Sequence, residues 1–296
     1  MEFTYITKRG ERLQLIGNEY FFLTNVDGQT EANANLTSVV TGGVDGDTVT
    51  SEQVQPRSLV LTLRIKSGVN VEKAKREILK KFKIKQDGTI LWTQNSRSVN
   101  IKGIVESIEM PRWTNAVVMQ ITLHCEQPFW EDIENVIQEI NEFINLHYFT
   151  DDPLDMLYFP EEGIPFGMFD TLRTKTFYNA GDVSVGIIIE INALGTVTNP
   201  KIYDTDGNFF GVGYGTGNKK VVLSSGDRVV ISTVKGNKTV TLNGVSIYDK
   251  IAPHSQWLQL ETESNNFRIE SDDKDEHGNP IIDNMVFNIT YKQRYL

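Results

Sequence analysis

The chain has 296 residues, 39% of them hydrophobic, and a formal net charge of -10 at pH 7. This length predicts two domains, each large enough to bury its own core. The acidic balance argues against nucleic-acid binding, no apolar run approaches the roughly 20 residues that span a bilayer, and we expect no signal peptide. The single cysteine, Cys125, excludes an intrachain disulfide and suggests folding in a reducing cytoplasm.

The first unusual stretch is 25–55, which is polar and glycine-rich around a small apolar kernel. Insertions of this length inside a compact domain are uncommon unless they have a function. The stretch is either a surface loop or an arm that becomes ordered against a neighbouring subunit. In the second case its contact residues are Val39, Val40 and Val44.

Strands and one helix follow in the first half. The segments 58–66 and 117–125 alternate between apolar and polar residues, which predicts half-buried β-strands. Between them, residues 71–82 place apolar side chains at helical spacing after a possible N-cap, Asn70. This helix segment is basic, since seven lysines and arginines lie between residues 73 and 85.

Residues 131–145 predict a second amphipathic helix, a connecting helix with five acidic residues and no basic ones. Two oppositely charged helices could mate between copies in a head-to-tail ring, because a heterologous interface needs two different complementary surfaces. The candidate contacts are then Lys80 and Lys81 on one side and Glu139 and Glu142 on the other. The alternative is that both helices simply present solvated faces.

The domain boundary is expected in the aromatic, Pro- and Gly-rich stretch 147–171, giving domains 1–146 and 147–296. The second domain shows short alternating strands separated by turn signals such as Asn243-Gly244. We therefore predict a mainly β protein: an N-terminal β-sandwich-like domain with one helix and a C-terminal β-sandwich.

No motif for catalysis, metal binding or cofactor binding stands out. There is no Gly-x-Ser-x-Gly or His-Glu-x-x-His, and the four histidines are far apart. The glycine-rich stretch 211–220 lacks the Gly-Lys-Ser/Thr end of a phosphate loop, and Asp204, Asp206 and Asn208 favour a turn over a calcium loop. We predict no enzyme and no cofactor. Trp113 and Trp257 could stack on a sugar ring, although such residues usually pack in a core or an interface.

The order of these elements resembles a known family. The first half ends in Cys125-Glu-Gln-Pro128-Phe129-Trp130, and the second contains FYNAGDVSVGIIIEI, LSSGDRVVISTVKGNKTVTLNGV and the terminal NITYKQRYL. In these segments the chain is similar to the distal tail proteins of long-tailed phages that infect Gram-positive bacteria. It departs from them in the insertion around 25–50, the connector 147–171 and the acidic run 272–279.

The resemblance implies a galectin-like C-terminal sandwich and a hexameric ring at the virion tail tip, built by N-terminal domains and assembled in the host cytoplasm. Its implied partners are other copies of the chain, the tail tube protein, tail-tip or tail-associated proteins, and receptor-binding or baseplate proteins, with no nucleic acid and no membrane insertion. The His-x-Asn-x-Arg constellation of galectins is absent, so no sugar-binding residues carry over. A carbohydrate-binding module that contacts host wall polysaccharide is the alternative function.

Overall fold

The computed structural model describes residues 2–30, 32–40, 42–43, 45–95, 97–110, 117–139, 143–145, 167–169, 174–274 and 284–296. The chain forms two compact units, which are described separately. The first unit comprises Met1–Glu134 together with Arg294–Leu296, and the second comprises Asn135–Gln293. The C-terminal residues therefore belong to the first unit.

The first unit is built on antiparallel strands. Its strands are β1 (Glu2–Thr7), β2 (Arg12–Gln14), β3 (Phe21–Asp27), β4 (Ala34–Val39), β5 (Thr48–Val54), β6 (Arg57–Ile65), β7 (Asp87–Gln94), β8 (Arg97–Glu109), β9 (Val118–Cys125), β10 (Trp130–Asp132) and β27 (Arg294–Tyr295). Seven of them form a sheet in the order β2-β1-β7-β8-β9-β6-β3, and β10 joins this sheet through β8 and pairs with β27.

The core of the first unit lies on one face of this sheet. In β6 the predicted alternation is confirmed, since Leu59, Leu61 and Leu63 are fully buried. In β9 the alternate residues from Met119 to Cys125 are buried in the same way. Alternation of period 2 thus gives each strand one face for the core and one for solvent.

The predicted first helix is confirmed as α1 (Val71–Lys81). The side chain of Asn70 accepts a hydrogen bond from the backbone N–H of Lys73 at 3.0 Å and so caps the helix. Ala74, Ile78 and the following Phe82 are buried, and the Phe82 ring stacks on Tyr5 with centroids 4.1 Å apart. One face of the helix is therefore fixed to the core, and the other remains at the surface.

The second unit is a β-sandwich. Its strands are β11 (Val136–Glu139), β12 (Phe143–Asn145), β13 (Gly167–Phe169), β14 (Thr174–Asn179), β15 (Val185–Gly186), β16 (Ile188–Ala193), β17 (Val197–Thr198), β18 (Lys201–Tyr203), β19 (Phe209–Gly211), β20 (Val222–Leu223), β21 (Arg228–Ser232), β22 (Thr239–Leu242), β23 (Val245–Ser246), β24 (Gln259–Leu260), β25 (Glu263–Glu270) and β26 (Met285–Tyr291). A six-stranded sheet, β11-β26-β16-β21-β22-β23, and a four-stranded sheet, β14-β25-β18-β19, contribute to a single hydrophobic core.

Two turn predictions in this unit are confirmed. Asn243 and Gly244 join β22 to β23 and both have positive φ, as a two-residue hairpin turn requires. The Asp204 carboxylate accepts hydrogen bonds from the backbone N–H groups of Asp206 and Asn208, at 3.0 and 2.8 Å. That carboxylate therefore closes a turn, as the sequence indicated.

The predicted second helix is wrong. The segment 131–145 contains the end of β10 and all of β11 and β12, and β11 pairs with β26 at the edge of the six-stranded sheet. The proposed apolar stripe is not buried as a unit, because Ile133 and Ile137 are 44% and 65% exposed. The segment is rich in isoleucine and valine, whose branched side chains favour strands. In addition, the backbone of β11 forms hydrogen bonds with the edge strand β26.

The pairing of β11 with β26 also moves the boundary between the two units. The sequence placed the division between residues 146 and 147, whereas β11 already belongs to the second unit, which begins at Asn135. Because β11 pairs with β26, its contacts lie in the sandwich of the second unit. The prediction had assigned this segment to a connecting helix of the first domain. Most of the predicted connector, 147–171, lies outside the described residues.

Candidate functional site: the arm and the basic helix

The polar insertion folds as a two-stranded hairpin, here called the arm (residues 32–55). Among the described residues, strands β4 and β5 pair only with each other, in an antiparallel register that runs from Ala34 opposite Val54 to Val39 opposite Thr48. Every described residue of the arm up to Gln53 is exposed, including Leu36 at 63% and Val40 at 75%. The arm therefore has strand structure without a core of its own.

One face of the arm combines apolar and acidic side chains. The register sets Leu36 opposite Glu52 and Ser38 opposite Val49, with a bulge between these two pairs. Paired residues and residues two apart share a face, so Leu36, Val49 and Glu52 lie on the same side. Asp45 and Asp47 follow at the turn, and residues 28–56 contain four acidic residues and no basic one. The arm is thus a negatively charged and partly apolar surface.

The base of the arm is held by buried side chains. Arg57, which is only 4% exposed, donates from Nη1 to the backbone oxygens of Gly28 and Gln29 at 3.3 and 2.6 Å. The Trp130 indole N–H donates to the same Gln29 oxygen at 3.0 Å. Gly28 has φ +79, and a Cβ there would lie 2.1 Å from the Ser58 oxygen. These contacts fix where the arm leaves the body.

Trp130 is in turn covered by the end of the chain. Strand β10 pairs Trp130 with Tyr295, and the Glu131 carboxylate accepts a hydrogen bond from Arg294 Nε at 2.8 Å. The Tyr295 hydroxyl donates to Asp132 at 2.9 Å, and burial together with Asp132 raises the pKa of Tyr295 to about 12. The C-terminal strand is therefore bonded to the strand that supports the arm.

The sequence alone does not identify Arg57 and Trp130 as supports of the arm. Trp130 carries a sequence signal, because it ends the Pro128-Phe129-Trp130 signature, although its contact with Gln29 lies 101 positions away in the chain. Arg57 carries no such sequence signal, because an arginine between two strand patterns is usually a surface residue. Its burial results from its contacts with the backbone at the base of the arm.

The basic helix, a name used here for α1 together with the four residues that follow it (71–85), has part of its charge neutralised within the chain. Lys75 pairs with Glu72 at 3.2 Å, Lys80 with Glu77 at 2.7 Å, and Lys81 with Glu11 at 2.5 Å. Hydrogen bonds from Lys80 and Lys81 lower the pKa values of the Glu77 and Glu11 carboxyls below their ordinary range. Such exposed pairs contribute little to stability.

The remaining charge forms an exposed stripe. Arg76 and Lys80 lie one turn apart on α1, Lys83 follows just after the helix ends at Lys81, and all three are exposed. No ion pair is found for Arg76, Lys83 or Lys85 among the residues that the structure describes. Leu79 and Ile84, 44% and 51% exposed, add apolar area to this region. The stripe is positively charged and partly apolar, the converse of the arm.

Five of the seven predicted interface residues lie in the described ranges. Val39 and Val40 lie at the end of β4 and are exposed, as an arm contact requires, whereas Val44 lies outside the described residues. Lys80 and Lys81 lie on α1. Glu139 lies in β11 opposite Asn288, and Glu142 is not described. Because residues 131–145 do not form an acidic helix, they do not provide the helical partner that was predicted for the basic helix.

Two features that often accompany catalysis, a metal-binding cluster and a reactive thiol, were checked in the described ranges. No group of three or more His, Cys, Asp or Glu side chains there could hold a metal ion. Cys125 is buried, and burial raises the pKa of its thiol to about 12, which suits a core residue rather than a nucleophile. No helix in the described part of the chain is long and apolar enough to cross a membrane.

Trp257, the candidate for sugar stacking, is surrounded by other side chains. Its ring lies 4.9 Å from the Phe210 ring and 6.0 Å from that of Tyr248, and the Lys238 ammonium lies 5.2 Å from its centroid. A stacking platform needs an open ring face, and Trp257 is half-buried with these neighbours beside its ring. The other candidate, Trp113, lies outside the described residues.

Two protein families match this chain, one on each half. The phage tail protein RIFT-related domain matches residues 8–125, and the C-terminal domain of the siphovirus-type tail component matches residues 180–295. Between them these matches cover most of both units. A search of curated protein sequences returned no match.

The chain was also compared in fold with solved structures. The crystal structure of SPP1 Dit (gp 19.1), described as a paradigm of the hub adsorption apparatus in phages infecting Gram-positive bacteria, superposes with a TM-score of 0.65 at 14% identity, covering 99% of each chain. The phage P2 baseplate in its activated conformation with Ca gives a TM-score of 0.45 at 11% identity, covering 99% of this chain and 97% of that one. The first of these supports the mainly β, two-domain architecture.

Proposed function

The chain belongs to the siphophage distal tail protein family, and we propose that it is a non-enzymatic hub subunit, several copies of which form a ring at the tail tip. Membership makes it a structural protein of the phage tail. The ring, its copy number of about six and its place between the tail tube and the tip or adsorption proteins are parts of this proposal.

The observation that carries the proposal is the arm. A hairpin of about 20 exposed residues with no core contributes little to the stability of a monomer, because an isolated two-stranded hairpin is marginal in water. Its base is nevertheless fixed by two buried side chains, Arg57 and Trp130. An element that is anchored but unsupported along its length suits contact with a neighbouring molecule.

The alternative, a carbohydrate-binding module, finds less support. Trp257 is half-buried, and Phe210, Tyr248 and Lys238 lie beside its ring. Polysaccharide binding would require an open surface with aromatic and hydrogen-bonding groups together.

The mass of the purified full chain tests the proposal. Size-exclusion chromatography with light scattering should give about six times the 33.5 kDa monomer mass, and negative-stain electron microscopy should show closed rings. A chain that stays monomeric at every concentration would refute the ring. If that monomer also bound cell-wall polysaccharide, the alternative function would replace it.

A further inference from the structure

We propose that the arm of one copy binds along the exposed stripe of the basic helix on the next copy, so that neighbouring subunits are joined head to tail. This inference rests on the proposed ring and specifies its contact. It assigns the arm as the acidic partner that the sequence had placed in a second helix.

Charge is the first argument. The arm and its flanks, residues 28–56, carry four acidic residues and no basic one, whereas residues 71–85 carry seven basic and two acidic residues. Both of those acidic residues are already paired within the helix, Glu72 with Lys75 and Glu77 with Lys80. The charges of Arg76 and Lys83 therefore remain available to a partner, and oppositely charged surfaces select each other and speed their encounter.

Apolar area is the second argument. Leu36 and Val49 lie on the same face of the arm as Glu52, and Leu79 lies beside Arg76 and Lys80 on the helix. All three apolar side chains are between 44% and 63% exposed. Contact between the two faces would bury apolar atoms at the centre and leave ion pairs at the rim, which is the usual arrangement of a protein interface.

Length is the third argument. A strand of seven residues such as β5 extends for about 20 Å, and a helix of eleven residues such as α1 extends for about 16 Å. The two surfaces thus match in length as well as in charge. Because arm and helix are different surfaces of one chain, their contact is heterologous and can close into a ring.

Charge reversal provides the first test. Arg76→Glu with Lys83→Glu leaves the three intrachain ion pairs of the helix in place and should weaken self-association roughly ten-fold or more. Asp45→Lys with Asp47→Lys on the arm should do the same. A chain carrying all four substitutions should recover much of the association, because the pairs are restored with reversed sign. Lys102→Glu, an exposed lysine of β8, is the matched control and should leave the mass unchanged.

Cross-linking between copies provides the second test. Chains carrying Val49→Cys and chains carrying Leu79→Cys, with tags of different length, are mixed and treated with a bismaleimide. The expected product is a covalent heterodimer, whereas Val49→Cys mixed with Lys102→Cys should give none. Cys125 is buried and contributes little background.

The outcomes separate the two proposals. If the wild-type chain forms rings that neither reversal weakens and no heterodimer forms, the arm–helix contact is wrong and the proposed function stands. If the wild-type chain is monomeric, both the proposed ring and the proposed arm–helix contact are refuted. Weakening by each reversal with recovery in the fourfold variant supports both.

Discussion

Strands β5 and β6 are neighbours in the sequence, separated only by Gln55 and Pro56, yet they stand in opposite environments. In β6 the alternate residues Leu59, Leu61 and Leu63 are fully buried. In β5 every residue but Val54 is exposed. Both are antiparallel strands paired with a neighbour, although the pairing of β5 contains a bulge, so the main difference lies in what their side chains contact.

The difference indicates which region stabilises the monomer and which is available for assembly. Each fully buried leucine of β6 contributes about 1.5–3 kcal/mol through the burial of apolar surface. The side chains of β5 gain almost nothing of this kind while the chain is alone. Substitutions in β6 should therefore act on the free energy of unfolding, and substitutions in the arm should act on association.

Truncating a core residue of β6 gives the largest expected effect. Leu61→Ala should lower the free energy of unfolding by about 2–5 kcal/mol, since it removes buried atoms and leaves a cavity. Val49→Ala in β5 should change it by less than about 0.5 kcal/mol. Denaturant unfolding followed by tryptophan fluorescence suits this measurement, because three of the four tryptophans lie within the first 134 residues. Equal losses of unfolding free energy in Leu61→Ala and Val49→Ala would contradict the proposed difference between β6 and β5.

Arg57 lies at the boundary between the two strands and gives an intermediate effect. Arg57→Met keeps most of the side-chain volume but removes the charged donor to the Gly28 and Gln29 oxygens. Hydrogen bonds to charged groups are typically worth about 1.5–3 kcal/mol, so we expect a loss of about 2 kcal/mol. The control, Thr50→Val, removes an exposed hydrogen bond to the Thr37 oxygen and should cost less than about 0.5 kcal/mol. A negligible loss for Arg57→Met would show that the arm's base is not part of the stable body.

The buried strands and the first helix could be predicted from the sequence because their patterns coincide with their burial. In β6 and β9 the period of 2 matches a sheet with one covered face, and in α1 the spacing of Ala74, Ile78 and Phe82 matches the face that packs on Tyr5. In these elements the local pattern and the tertiary contacts favour the same structure.

The remaining elements depend on partners that are distant in sequence. Residues 131–145 have helical spacing, but the open edge of β26 determined the conformation of β11. Trp130 pairs with Tyr295, which lies far from it in the sequence. The arm's surface residues could be named from the sequence, whereas its hairpin structure and its anchor at Arg57 could not, because a polar stretch without a core has no periodicity that burial imposes.

Removing the arm should have the smallest effect on stability, and this separates the two roles most sharply. Replacing residues 33–54 by a short Gly-Ser turn removes no buried side chain of the described residues and shortens a loop between two fixed ends. Each halving of loop length reduces the entropic cost of closure by about 0.6 kcal/mol, so the free energy of unfolding should stay the same or rise by about 1 kcal/mol.

The same deletion should abolish the ring, which light scattering would show as a monomer of nearly wild-type thermal stability. A replacement hairpin of equal length with serines at Leu36, Val39, Val40 and Val49 provides the matched control for chain length. If this control also remains monomeric, the apolar side chains of the arm carry the contact rather than its length. If instead the deleted chain still assembles, subunits are held by the body alone, and the exposed side chains of β5 are as irrelevant to assembly as they are to folding.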